Sequence, residues 1–196
     1  MRALNSICVF CGSSEGDDER IVEAAVTLGK KMAQQQISLV YGGAKIGIMG
    51  KVADSVMQCS GEVVGVIPEF LKQKEIVHLG VHKLITTTNM HERKMKMQAL
   101  SDGFITLPGG FGSLEELFEV ITWSQLGLHQ KPIGLLNVEG FYDDLLAMLE
   151  HMVHKEFLKK EDYKLLLVDK DIDKLLEKMK AFKSLKVSKW LKKDRT

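Results

Sequence analysis

The chain of 196 residues predicts an α/β protein: a single-domain, Rossmann-like, doubly wound parallel sheet with helices on both faces. Three observations carry that expectation. Short apolar runs alternate with stretches of helical periodicity along the whole chain. The runs are nearly continuous rather than alternating apolar and polar, as in strands covered on both faces. Several of them end in glycine-rich turns, on the rim where open parallel sheets bind ligands.

The first strand is expected at 6–11, where Ile7, Cys8, Val9 and Phe10 run without a break. A helix follows over 20–35, with Val22, Ala25, Val26, Leu28, Gly29 and Met32 as its inner stripe. Residues 37–41 form the second strand and 47–59 the second helix. The third strand runs over 62–67 and is closed by Pro68. A polar loop leads to a weaker strand at 83–87. A helix at 90–100, a strand at 103–107 and a helix at 113–126 come next. The pattern ends with a strand at 133–136, a helix at 142–156, a short strand at 165–168 and a helix at 172–182. Residues 1–182 are therefore expected to form one domain. Residues 183–196 read as a basic, solvated tail in which Leu185, Val187, Trp190 and Leu191 supply an apolar anchor.

Composition narrows the function classes. Apolar residues make up 45% and charged residues 27%, as in a globular domain able to bury a sizeable core. A net charge of +1 argues against nonspecific nucleic-acid binding. No apolar run approaches the ~18 residues of a membrane span. Met1 to Asn5 lead straight into a strand-like segment without a signal-peptide pattern. A cytoplasmic protein with neither a membrane nor a nucleic-acid partner is expected. The three cysteines are Cys8, Cys11 and Cys59. Cys8 and Cys11 have C-x-x-C spacing, yet redox pairs of that type open a helix, where the dipole lowers the thiol pKa. Here Cys8 lies inside a strand, and residues three apart on a strand face opposite ways. They read as small apolar fillers.

The rim loops carry the chemistry. Pro108-Gly109-Gly110-Phe111-Gly112-Ser113-Leu114-Glu115-Glu116 stands between a strand and a helix. Such a turn lets the backbone approach an anion and aims helix N–H groups at it. Cys11-Gly12-Ser13-Ser14 and the loop from Gly42 and Gly43 to Gly50 are phosphate-friendly in the same way. Neither matches the dinucleotide fingerprint or a nucleoside-triphosphate P-loop, so a monophosphate is the better guest. Glu116 has two readings. Its spacing from Ser113 is that of a capping box, with Ser113 as N-cap. It is also placed as a catalytic carboxylate beside a phosphorylated sugar, and one carboxylate can serve both. Arg93 and Lys94 open a helix on the same rim, either as a solvated face or as groups reaching into the cleft. No metal site is expected: His78 with His82, and His151 with His154, each lack a third ligand.

Taken together these segments resemble the Lonely Guy family, the cytokinin riboside 5′-monophosphate phosphoribohydrolases, some of them mislabelled lysine decarboxylases. The resemblance rests on Pro108–Glu116, Met90-His-Glu-Arg-Lys94, Cys11-Gly-Ser-Ser14, Tyr41-Gly-Gly43, Gly47-Ile-Met-Gly50, Gly65-Val-Ile-Pro68 and the run from Glu119 to Gln125. It implies hydrolysis of the N-glycosidic bond of an adenine-type nucleoside monophosphate, cytokinin riboside monophosphate or AMP, to free base and ribose 5-phosphate. It implies Arg93 and Glu116 as the catalytic pair. Gly12, Ser13, Gly43, Glu75, Lys94, Gly109, Gly110, Gly112, Ser113, Glu115 and Thr122 follow as substrate-binding positions. It implies no cofactor, a small-molecule nucleoside monophosphate as substrate, and a homodimer with its sites near the interface. Ser113 replaces the usual threonine. Ala44 replaces a common third glycine, and would be strained there if φ were positive. A nucleotide or molybdenum-cofactor carrier of the same fold is the alternative; it would not need Arg93 and Glu116 together. A lysine decarboxylase is not expected, because no pyridoxal-phosphate lysine context is recognisable.

Overall fold

The computed structural model describes residues 3–72 and 77–184; Glu75 and the tail from residue 185 lie outside the described residues. Seven strands form one parallel sheet: β1 Ser6–Phe10, β2 Ser38–Tyr41, β3 Val63–Pro68, β4 Lys83–Thr87, β5 Gly103–Thr106, β6 Ile133–Leu136 and β7 Leu166–Asp169. Their order is β4-β3-β2-β1-β5-β6-β7. The helices are α1 Glu19–Gln34, α2 Gly47–Gln58, α3 Glu69–Lys72, α4 Met90–Ala99, α5 Phe111–Gln125, α6 Asp143–His154, α7 Lys160–Tyr163 and α8 Ile172–Ala181. The doubly wound expectation holds, and each anticipated element appears within two residues of its expected bounds. The polar loop after β3 opens with the single turn α3, and α7 likewise sits in a connection. Each has four residues, too few for an apolar stripe to show in the sequence.

Strand alternation divides the core. Ile7 and Val9 of β1 face Leu28, Met32, Val56, Leu175 and Met179 from α1, α2 and α8. Cys8 and Phe10 face Met97, Leu117, Val120 and Leu149 from α4, α5 and α6. Cys11 returns to the first side, so both buried thiols sit on opposite faces and pack as apolar fillers. Gly29 of α1 admits α2 closely, and Ser55 donates across that seam to the Val26 carbonyl at 2.6 Å. No helix among the described residues is long and apolar enough to cross a membrane.

The winding reverses at β1. Its neighbours are β2 on one side and β5 on the other, so the loops leaving β1 and β5 diverge. That is the topological switch point, where open α/β sheets leave a crevice.

Candidate functional site

The crevice is clamped at its floor by the Gly12 N–H, which donates to the Pro108 carbonyl at 3.1 Å. Beside the clamp lies a cleft of about 430 Å³. Gly12, Ser13, Gly109 and Gly110 line it as expected, together with apolar Ile21, Ile48, Val138 and Phe141.

The start of α5 differs from the sequence expectation. The N-cap is Gly110, in extended conformation, and Ser113 is the third helical residue rather than the cap. Ser113 is buried, with its hydroxyl packed on Gly109. The capping box is therefore wrong: Phe111 and Gly112 had looked like turn residues, yet Gly110 starts the helix two residues earlier. Among the described residues, the first α5 N–H with a backbone carbonyl partner is that of Leu114, donating to Gly110 at 3.1 Å. The N–H groups of Phe111, Gly112 and Ser113 are thus the orphan donors of a helix start. With the positive end of the helix dipole they make an anion cradle. Gly110 and Gly112 leave open space above it, and Phe111 is 93% exposed at its edge.

The start of α2 is a correction of a second kind. Its glycine loop looked phosphate-friendly, but two of its helix-start N–H groups are already used. Ile48 donates to the Ser14 carbonyl and Met49 to the Gly12 carbonyl, both at 3.3 Å. Gly47 has φ of +63°, and a Cβ there would overlap the Ser13 backbone. Gly47 docks α2 on the β1 loop. Gly43 carries φ of +81° and Ala44, fully buried beside it, does not have positive φ, so the feared strain is absent.

Below the α5 cradle, α4 and α5 bring four of the expected residues together. Arg93 and Lys94 are not a solvated face. Arg93 is 8% exposed, and its Nε donates to the Val66 carbonyl of β3 at 3.1 Å. Its guanidinium stands 3.8 Å from Glu116 Oε1. Gly42 makes room for it, since a Cβ there would overlap the guanidinium. Burial pushes the Glu116 carboxyl up to about 7; Arg93 and Lys94 oppose the rise, and Glu115 and Glu119 add to it. Lys94 bridges Glu115 at 2.6 Å and Glu119 at 2.8 Å. The two carboxylates hold its ammonium pKa up against the opposing effect of burial. Gly42, the Val66 carbonyl and Glu119 were not among the expected site residues, although the segments that carry them were singled out. For Glu119 a signal existed: it stands four residues after Glu115, so one cation can reach both.

Two expected residues stand apart. Thr122 is exposed on the outer side of α5 and donates to the Phe118 carbonyl at 2.7 Å. Glu75 lies outside the described residues. His78 and His82 do not converge: His78 Nε2 meets Asp54 at 2.9 Å, and His82 Nδ1 accepts the Val63 N–H at 3.3 Å. Among the described residues no group of three His, Cys, Asp or Glu side chains is placed to hold a metal ion.

The chain is similar to known proteins in sequence and in fold. The family model described as "possible lysine decarboxylase" matches residues 49–179. A probable cytokinin riboside 5′-monophosphate phosphoribohydrolase of Oryza sativa subsp. japonica is 46% identical over 176 residues, 90% of this chain and 70% of the relative. One from Arabidopsis thaliana is 50% identical over 155 residues, 79% of this chain and 77% of the relative. Among solved structures, the molybdenum cofactor binding protein of Rippkaea orientalis superposes with a TM-score of 0.68 at 22% identity. That match covers 92% of this chain and 98% of the other. At that identity the likeness concerns the fold alone.

Proposed function

The chain belongs to the family of cytokinin riboside 5′-monophosphate phosphoribohydrolases, and from that premise we propose that it hydrolyses the N-glycosidic bond of an adenine-type nucleoside 5′-monophosphate. The products are the free base and ribose 5-phosphate. The observation that carries the reading is the largely buried Arg93–Glu116 pair one helical turn below the helix-start donors of Phe111, Gly112 and Ser113. A rise of ~5 Å separates Ser113 from Glu116 along α5. That suits a ligand whose anion and reacting carbon are held a short, fixed distance apart.

In this reading the N–H groups of Phe111, Gly112 and Ser113 take the 5′-phosphate, with Gly12, Ser13, Gly109 and Gly110 enclosing it. Gly43 lets the neighbouring loop close on the site. Anchoring the phosphate fixes the sugar before reaction. As the bond between C1′ and the base breaks, its electron pair leaves with the base and positive charge grows on C1′ and O4′. The Glu116 carboxylate stabilises that charge and takes a proton from the attacking water, whose oxygen bonds to C1′. The proton is returned to the departing base, so atoms and charge balance. Arg93, fixed by Val66, orients the base or a ribose hydroxyl. An ammonium has three N–H bonds. Lys94 spends two on Glu115 and Glu119, and the third is left for a substrate oxygen. None of these steps calls on a metal or an organic cofactor.

A homodimer belongs to the same reading. Phe118 and Leu126 stand exposed on α5, in line with Thr122, and Met148 stands exposed on α6. Thr122 lies ~13 Å beyond Ser113 along the helix, too far to serve its own cradle directly. A second copy seated on this face gives Thr122 a site to serve. The test of the activity is incubation of the purified protein with AMP and with N6-prenylated AMP, followed by chromatography. Free base and ribose 5-phosphate from either are expected. Intact nucleotide in both would overturn the reading.

A further inference from the structure

The Arg93–Glu116 pair spans two helices, so something must fix α4 against α5. Met97 shares the apolar core with Leu117 and Val120, and beside that packing two ion pairs, both from Lys94, join the helices. The Glu115 side chain is 53% exposed, and an ion pair in that setting contributes little. The Glu119 side chain is only 19% exposed and Lys94 13%. Their bridge borders a wall of Phe10, Met97, Phe104, Val120 and Trp123, and Glu116 lines the same small void. The void measures about 10 Å³, at the lower edge of the ~10–15 Å³ that one water needs. Little solvent separates the bridge from Glu116, so its charge acts on that carboxylate with weak screening.

We propose that Glu119 is a positioning residue for the reaction: by holding Lys94 against α5 it fixes the spacing and the charge of the Arg93–Glu116 pair. The charges facing Glu116 are Arg93 and Lys94 from α4, and Glu115 and Glu119 from α5. From β1 and the residue that follows it come Cys8 and Cys11, whose thiols burial holds neutral. Glu119 is thus the half-buried carboxylate that keeps Lys94 from turning fully toward Glu116. Removing its charge releases Lys94 and takes away a neighbouring anion. Both changes favour ionised Glu116, so its midpoint moves down.

The inference rests on Glu116 as the reacting carboxylate, and its test is readable without turnover. Carboxyl-¹³C glutamate labelling follows the Glu116 titration by NMR, with Glu116→Gln assigning the resonance. In Glu119→Gln the midpoint is expected to fall by about one unit. In Glu119→Asp, which keeps the charge, it should stay near that of the parent and so serves if the Gln variant folds poorly. The pH limb of kcat/KM should move with the NMR midpoint. An unmoved or raised midpoint in Glu119→Gln, with only a lower melting temperature, would overturn the role. A lowered midpoint with no turnover of any nucleotide by the parent would leave the hold of Glu119 on the Glu116 charge standing and remove the phosphoribohydrolase reading instead.

Discussion

Two helices of this protein begin on the same rim of the sheet, each beside glycines, and they do different things. At α2 the N–H groups of Ile48 and Met49 bond the carbonyls of Ser14 and Gly12, and Gly47 is pressed against the Ser13 backbone. At α5 the N–H groups of Phe111, Gly112 and Ser113 precede the first bonded donor, and Gly110 and Gly112 face open space. Both starts carry the positive end of a helix dipole. At α2 Ile48 and Met49 have spent theirs on the β1 loop, whereas at α5 three successive donors remain. A glycine-rich strand-to-helix turn therefore keeps donors for an anion or spends them on a packing joint according to where its backbone donors go.

Matched substitutions separate the two starts. Gly47→Ala should be the most damaging: it adds a Cβ at positive φ against backbone that cannot yield. The expected loss is roughly 3 kcal/mol or more of stability, read by chemical denaturation. A mild effect there would mean that the α2 start is not a packed joint.

Glu116→Gln tests the cost of the α5 site. The folded carboxyl titrates at about 7 against an ordinary 4.5, so the folded state holds its proton more tightly than the unfolded chain. Stability on this account is full below pH ~4.5, falls as pH rises to about 7, and is flat above. The Gln variant lacks that fall. It should exceed the parent by up to about 3 kcal/mol at pH 8 and match it near pH 4, by thermal melts across pH. Equal melting temperatures at pH 8 would refute the burial cost.

Gly112→Ala should have the smallest effect on the fold, raising stability by a few tenths to about 1 kcal/mol, because its Cβ meets nothing. Its consequence is for binding. A methyl over the cradle should raise KM for AMP about tenfold, ~1.4 kcal/mol of lost binding. Unchanged KM would place the phosphate elsewhere.

The fold was legible because strands such as β4 and β6 are bounded by polar or Pro residues and helices repeat at 3.6 residues. The expected bounds of both strands are the observed ones, Lys83–Thr87 and Ile133–Leu136. The catalytic candidates were visible through motif resemblance, but their surroundings were not. That Arg93 is buried depends on Gly42 and Val66, which are distant in sequence and meet only through the β2–β3 pairing. The Ser113 cap was misplaced because an extended glycine at 110 leaves no side-chain signature of a helix start. The contrast between α2 and α5 was hidden for a similar reason, since it is made by carbonyls of the β1 loop.

The decisive measurement is turnover and ligand binding by Glu116→Gln, compared with the parent on the same nucleotide monophosphate. The cradle of α5 is untouched by this change, so binding by calorimetry should persist at comparable affinity. Release of free base should fall by roughly 10²–10⁴-fold, the range general acid–base catalysis contributes. Near-parental release of base by the variant would contradict the assignment of the chemistry to Glu116.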